Sequence, residues 1–100
     1  MKVVEHNGKF YIVLPYEEPY IQLLDILDLI ERKNKYYGDS YKDLGYLFMV
    51  YRIIDKCNRM KNMILKKDEL GTTEEDLQEE IRDIIGYGIL MLKNKGGRWL

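Results

Sequence analysis

The sequence predicts a mainly α-helical protein, a small bundle of three to four helices with an N-terminal β-hairpin. Apolar residues recur at helical spacing in three long segments between residues 20 and 92. An Asn-Gly pair near the N-terminus separates two short runs of β-branched and aromatic residues, which is a strong hairpin signal. A chain of 100 residues, of which 46% are hydrophobic, is enough for one small domain.

The composition excludes several classes of protein. The 16 basic and 17 acidic residues give a formal net charge of −1, so the chain has no general attraction for nucleic acid polymers. Its only cysteine, Cys57, excludes a disulfide framework. Its only histidine, His6, lies in the predicted hairpin turn, where we expect it to be exposed. No apolar run approaches the roughly 20 residues that cross a bilayer, so we expect a cytoplasmic protein.

The chain is predicted to form a single domain over residues 1–100, with the hairpin in 1–15 and the helical bundle in 19–94. A domain of this size buries only about two-thirds of the surface of its unfolded chain. Burial of a shared apolar face would stabilise it, so we expect a homodimer or homotetramer.

Turn and cap residues delimit the hairpin and the first helix. Asn7 and Gly8 suit a type I′ turn, because both of its central positions need a positive φ. Pro19 suits the first turn of a helix, which we expect from Tyr20 to about Lys35. The apolar stripe of this helix consists of Ile21, Leu24, Leu27 and Ile30, and an acidic stripe beside it consists of Asp25, Asp28 and Glu31.

The second helix is expected to begin near Ser40 or Asp43, both good N-caps, and to end near Leu65. Gly45, near its start, permits the close approach of another backbone segment. Residues 66–71 are predicted to form a loop. The apolar face of the helix is predicted to consist of Leu47, Val50, Tyr51, Ile54 and Cys57, which would make the thiol a small buried hydrophobe.

Two threonines, Thr72 and Thr73, are expected to open the third helix, with Thr72 and Glu75 at capping-box spacing. Gly86 and Gly88 each cost about 1 kcal/mol relative to alanine inside a helix. Such a pair indicates that another helix or a ligand comes close there. The last six residues are expected to form a loose tail, with the tryptophan as its candidate anchor.

One stripe of the second helix carries four charged side chains at i, i+3, i+4 and i+7 spacing: Arg52, Asp55, Lys56 and Arg59. Arginine grips phosphate oxygens with two hydrogen bonds and lysine attracts them as a point charge, so the stripe can hold a nucleotide. Asp55 would then ligate a metal or orient an arginine. The alternative is a row of surface ion pairs worth a few tenths of a kcal/mol each.

Two carboxylates of the third helix, Glu80 and Asp83, lie on adjacent turns of one face, and Tyr87 follows one turn later. Mg²⁺ takes oxygen ligands and commonly uses one or two carboxylates together with substrate phosphates. The pair is therefore sufficient for a phosphate-bridged magnesium site. The alternative is the acidic flank of a solvated helix.

The end of the first helix carries a third candidate group. Lys33 and Asn34 precede a turn that contains Tyr37 and Ser40. A tyrosine ring can stack on a base, and the amide and hydroxyl groups can bind its polar edge. Helix-stop chemistry, with Asn at a helix end and Gly38 after two aromatic residues, explains part of the same pattern.

Three motifs, in this order, resemble a known family. They are E-R-K-N-K-Y-Y-G-D-S at 31–40, R-I-I-D-K-C-N-R at 52–59 and E-E-I-R-D-I-I-G-Y at 79–87. Together they resemble the nucleotide-modification-associated domain of phages and bacteria, and the likeness covers roughly residues 27–92. That family in turn looks similar to the all-α, MazG-like nucleoside triphosphate pyrophosphohydrolases.

The resemblance implies a MazG-like bundle that assembles as a homodimer or homotetramer. In such enzymes carboxylates on two helices bind Mg²⁺, and water attacks the triphosphate to release pyrophosphate and a nucleoside monophosphate. Carried onto this chain, the catalytic pair would be Glu80 and Asp83. The implied metal ligands are Asp28, Glu31, Asp55, Glu80 and Asp83. The implied nucleotide-binding residues are Lys33, Asn34, Tyr37, Ser40, Arg52, Lys56, Arg59 and Tyr87.

Three hypotheses follow from these observations. The first is a phage-type, Mg²⁺-dependent (deoxy)nucleoside triphosphate pyrophosphohydrolase. The second is a nucleotide binder without chemistry, such as a protein that sequesters a nucleotide signal, because the acidic set is incomplete beside an intact cationic stripe. The third is a helical interaction module. The first two require the acidic row of the last helix to face the basic row of the middle one.

Overall fold

The structure, a computed structural model, describes residues 2–13, 17–37 and 43–100. It is mainly helical with a two-stranded antiparallel hairpin, which confirms the predicted fold class. No helix in the described ranges is both long and apolar enough to cross a membrane. The elements are β1 (Lys2–His6), β2 (Lys9–Val13), α1 (Glu17–Tyr37), α2 (Tyr46–Leu65), α3 (Lys67–Leu70) and α4 (Glu74–Lys93).

The hairpin turns at Asn7 and Gly8, whose φ angles of 52° and 77° are those of the predicted type I′ turn. Polar contacts attach the turn to α1. The Asn7 side chain donates a hydrogen bond to Asp28, and Nε2 of His6 lies 2.5 Å from Oδ1 of Asp25. The expected exposure of His6 is therefore wrong: this contact leaves its side chain only 20% exposed.

Two long helices, α2 and α4, form an antiparallel pair that α3 connects. The pair is antiparallel, because residues later in α2 contact residues earlier in α4. The contacts are Arg52 with Tyr87, Lys56 with Asp83 and Arg59 with Glu80. The connection was predicted to be a loop, but the structure places the one-turn helix Lys67–Leu70 there. Gly71, with φ of 65°, ends that turn in the left-handed conformation.

A capping box opens α4, one residue later than predicted. The Asp76 backbone N–H donates to Oγ1 of Thr73 (3.3 Å), and the Thr73 backbone N–H donates to Oδ2 of Asp76 (2.9 Å). Both Thr72 and Thr73 have an acidic residue three positions on, so the spacing alone could not choose between them. Thr72 is instead buried.

We expect Thr73→Ala to lower the free energy of unfolding by about 1 kcal/mol, because it removes the side-chain acceptor of this cap. Glu75→Gln is the control and should change it by less than about 0.5 kcal/mol. The bond from Thr73 lowers the pKa of Asp76. The stabilisation that the Asp76 carboxylate supplies is therefore complete above the pKa of Asp76 in the unfolded chain, and it is lost as pH falls through the lower pKa of Asp76 in the folded protein. Urea titrations at neutral pH and at pH 3 measure both effects, and equal losses from the two variants would contradict the assignment.

The C-terminal segment covers the start of α2. The backbone N–H groups of Tyr46 and Leu47 donate to the carbonyls of Arg98 and Trp99, at 2.9 and 3.0 Å. These bonds satisfy donors that the first turn of a helix leaves free, so the expected loose tail is wrong. A Cβ on Gly45 would lie 2.5 Å from the backbone oxygen of Leu100, which confirms the close approach predicted there. α2 accordingly begins at Tyr46, later than Ser40 or Asp43.

The face that α2 turns inward differs from the predicted one. Met49 is fully buried, and Ile53 and Met60 are half-buried. The predicted apolar face is exposed instead, and Cys57 on it is an exposed thiol. On α4, a Cβ on Gly86 would lie 3.9 Å from Ile26 of α1, but one on Gly88 would meet no atom within 4 Å, so the expected close approach fails at Gly88. The exposed members of the predicted α2 face are Leu47, Val50, Tyr51, Ile54 and Cys57.

Candidate functional site

A cluster of ion pairs joins α2 to α4. Nζ of Lys56 lies 2.9 Å from Oδ2 of Asp83 and 3.4 Å from Oε2 of Glu80. Nη2 of Arg59 lies 3.2 Å from Oε1 of Glu80. The basic row of the middle helix therefore faces the acidic row of the last one, which is the arrangement that the sequence predicted. Helix periodicity produces it, because Lys56 and Arg59, and likewise Glu80 and Asp83, are three residues apart.

Glu80 is the buried member of this cluster, with 5% of its surface exposed. Its Oε2 is fully buried and has no hydrogen-bond partner among the described residues, and the Lys56 ammonium 3.4 Å away compensates its charge. Hydrogen bonding to Asp83, and then the charges of Asp83 and Glu80, raise the pKa of Lys56. The ammonium therefore remains charged at neutral pH and compensates the buried carboxylate.

Arg52 meets Tyr87 two turns of α4 beyond Glu80. Nε and Nη2 of Arg52 both donate to the Tyr87 hydroxyl, at 3.4 and 3.3 Å, and the guanidinium carbon lies 5.8 Å from the ring centroid. These are long hydrogen bonds on an exposed arginine. Arg52 thus has a defined direction, and it retains N–H donors for a ligand.

A groove of about 550 Å³ separates α1 from α4. Asp83 and Tyr87 lie along its α4 wall, so the residues that contact Lys56 and Arg52 of α2 also line the groove. Lys33 lines it from α1. Its floor is apolar, with Ile26, Leu29, Ile30 and Leu90 among the lining residues.

Sequence reasoning missed two cations of this groove, Arg32 and Arg82. Arg32 precedes Lys33 in the motif at 31–40, and Arg82 lies between Glu80 and Asp83 in the motif at 79–87. Neither arginine has a predicted role. Helix spacing could have placed Arg82 near the groove, because it is four residues before Gly86, which also lines it. The groove therefore has three cationic side chains on its walls, opposed by Asp25, Glu79 and Asp83.

The five implied metal ligands lie in separate places. Asp28 and Glu31 face the hairpin and line a second hollow, with Glu31 3.8 Å from Nζ of Lys9. Asp55 is exposed on α2. Among the described residues, no three His, Cys, Asp or Glu side chains come together in a group that could hold a metal ion. Between Glu80 and Asp83 stands the Lys56 ammonium, so this pair does not fit a magnesium ion in the arrangement observed.

Three of the predicted nucleotide-binding residues lie outside what the structure describes. Ser40 falls in the gap between residues 37 and 43, and the side chains of Asn34 and Tyr37 at the end of α1 are not described. Of the remaining five, Lys33 and Tyr87 line the groove, Arg52 and Lys56 contact residues that line it, and Arg59 pairs with Glu80.

Comparison with known proteins found one match. The family model for nucleotide modification associated domain 1 matches residues 33–93. No curated protein and no solved structure matches the chain significantly. The matched range contains α2, α3 and α4 and begins at Lys33, so it holds both charged rows and the α4 wall of the groove. With more than half of its length covered, this chain belongs to the nucleotide modification associated domain 1 family.

Proposed function

We propose that this protein binds a nucleotide in the groove between α1 and α4. The observation that carries the proposal is the meeting of three helices at Tyr87, where Arg52 of α2 approaches a groove that Lys33 lines from α1. A pocket of about 550 Å³ with an apolar floor and a few convergent polar groups is of the size and character of small-molecule sites. The family name, nucleotide modification associated, supports a nucleotide as the ligand class.

In this proposal the cations divide the work of recognition. Arg52 makes no ion pair with a carboxylate among the described residues and has further N–H donors, so it binds phosphate oxygens. Lys33 adds charge from the opposite wall. Lys56 is held by Asp83 and Glu80, which makes it a support for the α4 wall. The apolar floor and the edge of the Tyr87 ring receive the base or the sugar.

Hydrolysis of a nucleoside triphosphate is the second candidate. It is favoured by one observation, the buried and unbonded Oε2 of Glu80 beside Asp83, which lines the groove. Magnesium chemistry needs more than this pair, because Lys56 fills the space between the carboxylates and Asp28 and Glu31 face the hairpin. A non-catalytic binder, such as one that sequesters a nucleotide, requires no change in this arrangement. We therefore place binding ahead of pyrophosphohydrolysis.

Titration calorimetry with a panel of ribo- and deoxynucleoside mono-, di- and triphosphates tests the proposal, with each titration run in Mg²⁺ and in EDTA. We expect at least one nucleotide to bind, with similar affinity in both buffers, because the site uses the protein's own cations. Pyrophosphate release is measured on the same samples. Turnover that EDTA abolishes would establish the pyrophosphohydrolase instead, and the absence of binding by every nucleotide would contradict both candidates.

A further inference from the structure

The side of the α2–α4 pair that faces away from α1 carries a heptad pattern. Six exposed residues of α2 follow one another at spacings of 3, 4, 3, 4 and 3, and all but one of them are apolar. They are Leu47, Val50, Ile54, Cys57, Lys61 and Ile64. A narrow stripe of alternating three- and four-residue steps is the seam of helices that pack side by side in a coiled-coil manner.

A second exposed stripe, on α4, lies on the same side. Ile81, Ile85 and Leu92 are exposed, at spacings of 4 and 7. On each helix most residues of the stripe come one position after a residue that faces the other helix. Each residue turns the helix by 100°, so the stripe lies about 100° around the axis from the contact between the helices. Because the two helices are antiparallel, rotations in the same sense bring both stripes to one side. We call the six α2 residues and these three α4 residues the outer face.

The outer face is the reverse of the functional side. Gly86 and Leu90 of α4 line the groove between α4 and α1. By the rotation of 100° per residue, Arg52 and Arg59 of α2 lie on that same side of the pair. α1 therefore covers one side of the α2–α4 pair, while no described element covers the other. In the described ranges the buried hydrophobic residues are only Ile26 and Met49, and the apolar side chains of the outer face are exposed.

We propose that a second copy of this chain covers the outer face, so that the two α2–α4 pairs form a four-helix bundle with the two grooves on its outside. The seven large apolar side chains of the face are each 38–80% exposed, and together they supply area of the order of the roughly 800 Å² per partner of a stable interface. A two-fold axis brings the same patch of both copies together, so the face must complement itself.

The positions of the α2 seam meet this requirement in the antiparallel orientation. Leu47 then faces Ile64 of the second copy, Val50 faces Lys61, and Ile54 faces Cys57. The parallel orientation would set the two Lys61 ammonium groups against each other, which costs like-charge repulsion in an apolar seam. A single lysine at such a position fixes orientation at some cost in affinity. The charge of Lys61 therefore favours the antiparallel orientation of the two α2 helices.

Sedimentation velocity across a dilution series tests the proposal, with Ile54→Asp and Phe48→Asp as a matched pair. Phe48 is on the same helix and equally exposed (46% against 45%), but it lies one turn before Arg52 on the groove side. We expect a wild-type dimer whose dissociation constant rises by about 100-fold or more in Ile54→Asp, since a carboxylate would have to lose its water in an apolar seam, and the two-fold axis would bring the two carboxylates near each other. Phe48→Asp should leave that constant within about threefold of wild type.

The thiol of Cys57 provides a second measurement on the wild-type protein, in case Ile54→Asp does not fold. Cys57 is exposed in the single chain and covered in the proposed dimer. Its rate of reaction with a thiol reagent should rise as the protein is diluted from dimer to monomer. A wild-type chain that is monomeric at 100 µM overturns the proposal. So does a dimer in which Cys57 reacts at the monomer rate, or one that only Phe48→Asp dissociates.

Discussion

Lys56→Met is expected to destabilise the protein more than any other single substitution in the ion-pair cluster, by about 3 kcal/mol. Glu80 is 5% exposed and its Oε2 accepts no hydrogen bond, so the Lys56 ammonium 3.4 Å away supplies most of its charge compensation. Arg59 remains, but it is 64% exposed and reaches only Oε1. Thermal unfolding followed by circular dichroism should show a midpoint lower by more than about 10 °C.

The double variant separates the cost of an uncompensated charge from the loss of contacts. Lys56→Met with Glu80→Leu removes both partners, and it should recover most of the stability that the single variant loses, because an apolar pair can replace a buried ion pair. Arg59→Met is the control, and since its guanidinium is mostly in water it should cost less than about 1 kcal/mol. A double variant no more stable than Lys56→Met would show that the lysine acts through its packing alone.

The pH dependence of the same variant has a defined sign. Pairing raises the folded pKa of Lys56 above its ordinary value of 10.5. The lysine's stabilisation is therefore complete below 10.5 and is lost only as pH rises through the higher folded value. The lysine's contribution to the difference in unfolding midpoint between wild type and Lys56→Met should be the same at pH 7 and pH 9, and it should shrink as pH rises above 10.5.

The sequence predicted local structure correctly where one or two residues determine the backbone conformation. Asn7 and Gly8 gave the turn, and Gly45 gave the close approach of the backbone of Leu100. Periodicity was less informative for α2, because that helix has two stripes. The amphipathic pattern marks both, and only the position of α4 determines that Met49 turns inward while Ile54 stays outside. If a second copy covers the outer face, both apolar stripes of α2 are buried in the assembly.

The candidate site could be predicted in part for the same reason. Spacing within a helix put Lys56 beside Arg59 and Glu80 beside Asp83, and the facing of the two rows followed once α2 and α4 were antiparallel neighbours. Spacing could not show that α1 turns Asp28 toward the hairpin, since that depends on how Asn7 docks. Spacing put Arg82 on the same face of α4 as Gly86, where a close approach was predicted, but only the path of α1 makes that face a groove wall.

Arg52→Ala should lower the affinity for the best-bound nucleotide by about 10- to 100-fold, which is the usual effect of removing hydrogen bonds from a charged donor to phosphate. Folding should be unaffected, because Arg52 is exposed and the hydrogen bonds and ring contact that it makes in the described part of the chain are to Tyr87. Arg52→Lys keeps the charge and loses the two-pronged geometry, so it should bind with intermediate affinity. Titration calorimetry gives the affinities, and circular dichroism checks the fold.

Two further variants, Tyr87→Phe and Arg98→Ala, test whether the loss of affinity in Arg52→Ala comes from the position of the Arg52 side chain or from its charge alone. Tyr87→Phe leaves the charge of Arg52 in place but removes the hydroxyl that accepts its hydrogen bonds, so it should weaken binding less than Arg52→Ala does. Arg98 is an exposed arginine that does not line the groove. Its replacement removes the same formal charge, and it should leave the affinity within about twofold of wild type, because Arg98 is an exposed residue outside the groove. Equal losses from Arg98→Ala and Arg52→Ala would mean that nucleotides respond only to net charge, and the groove would then not be the binding site.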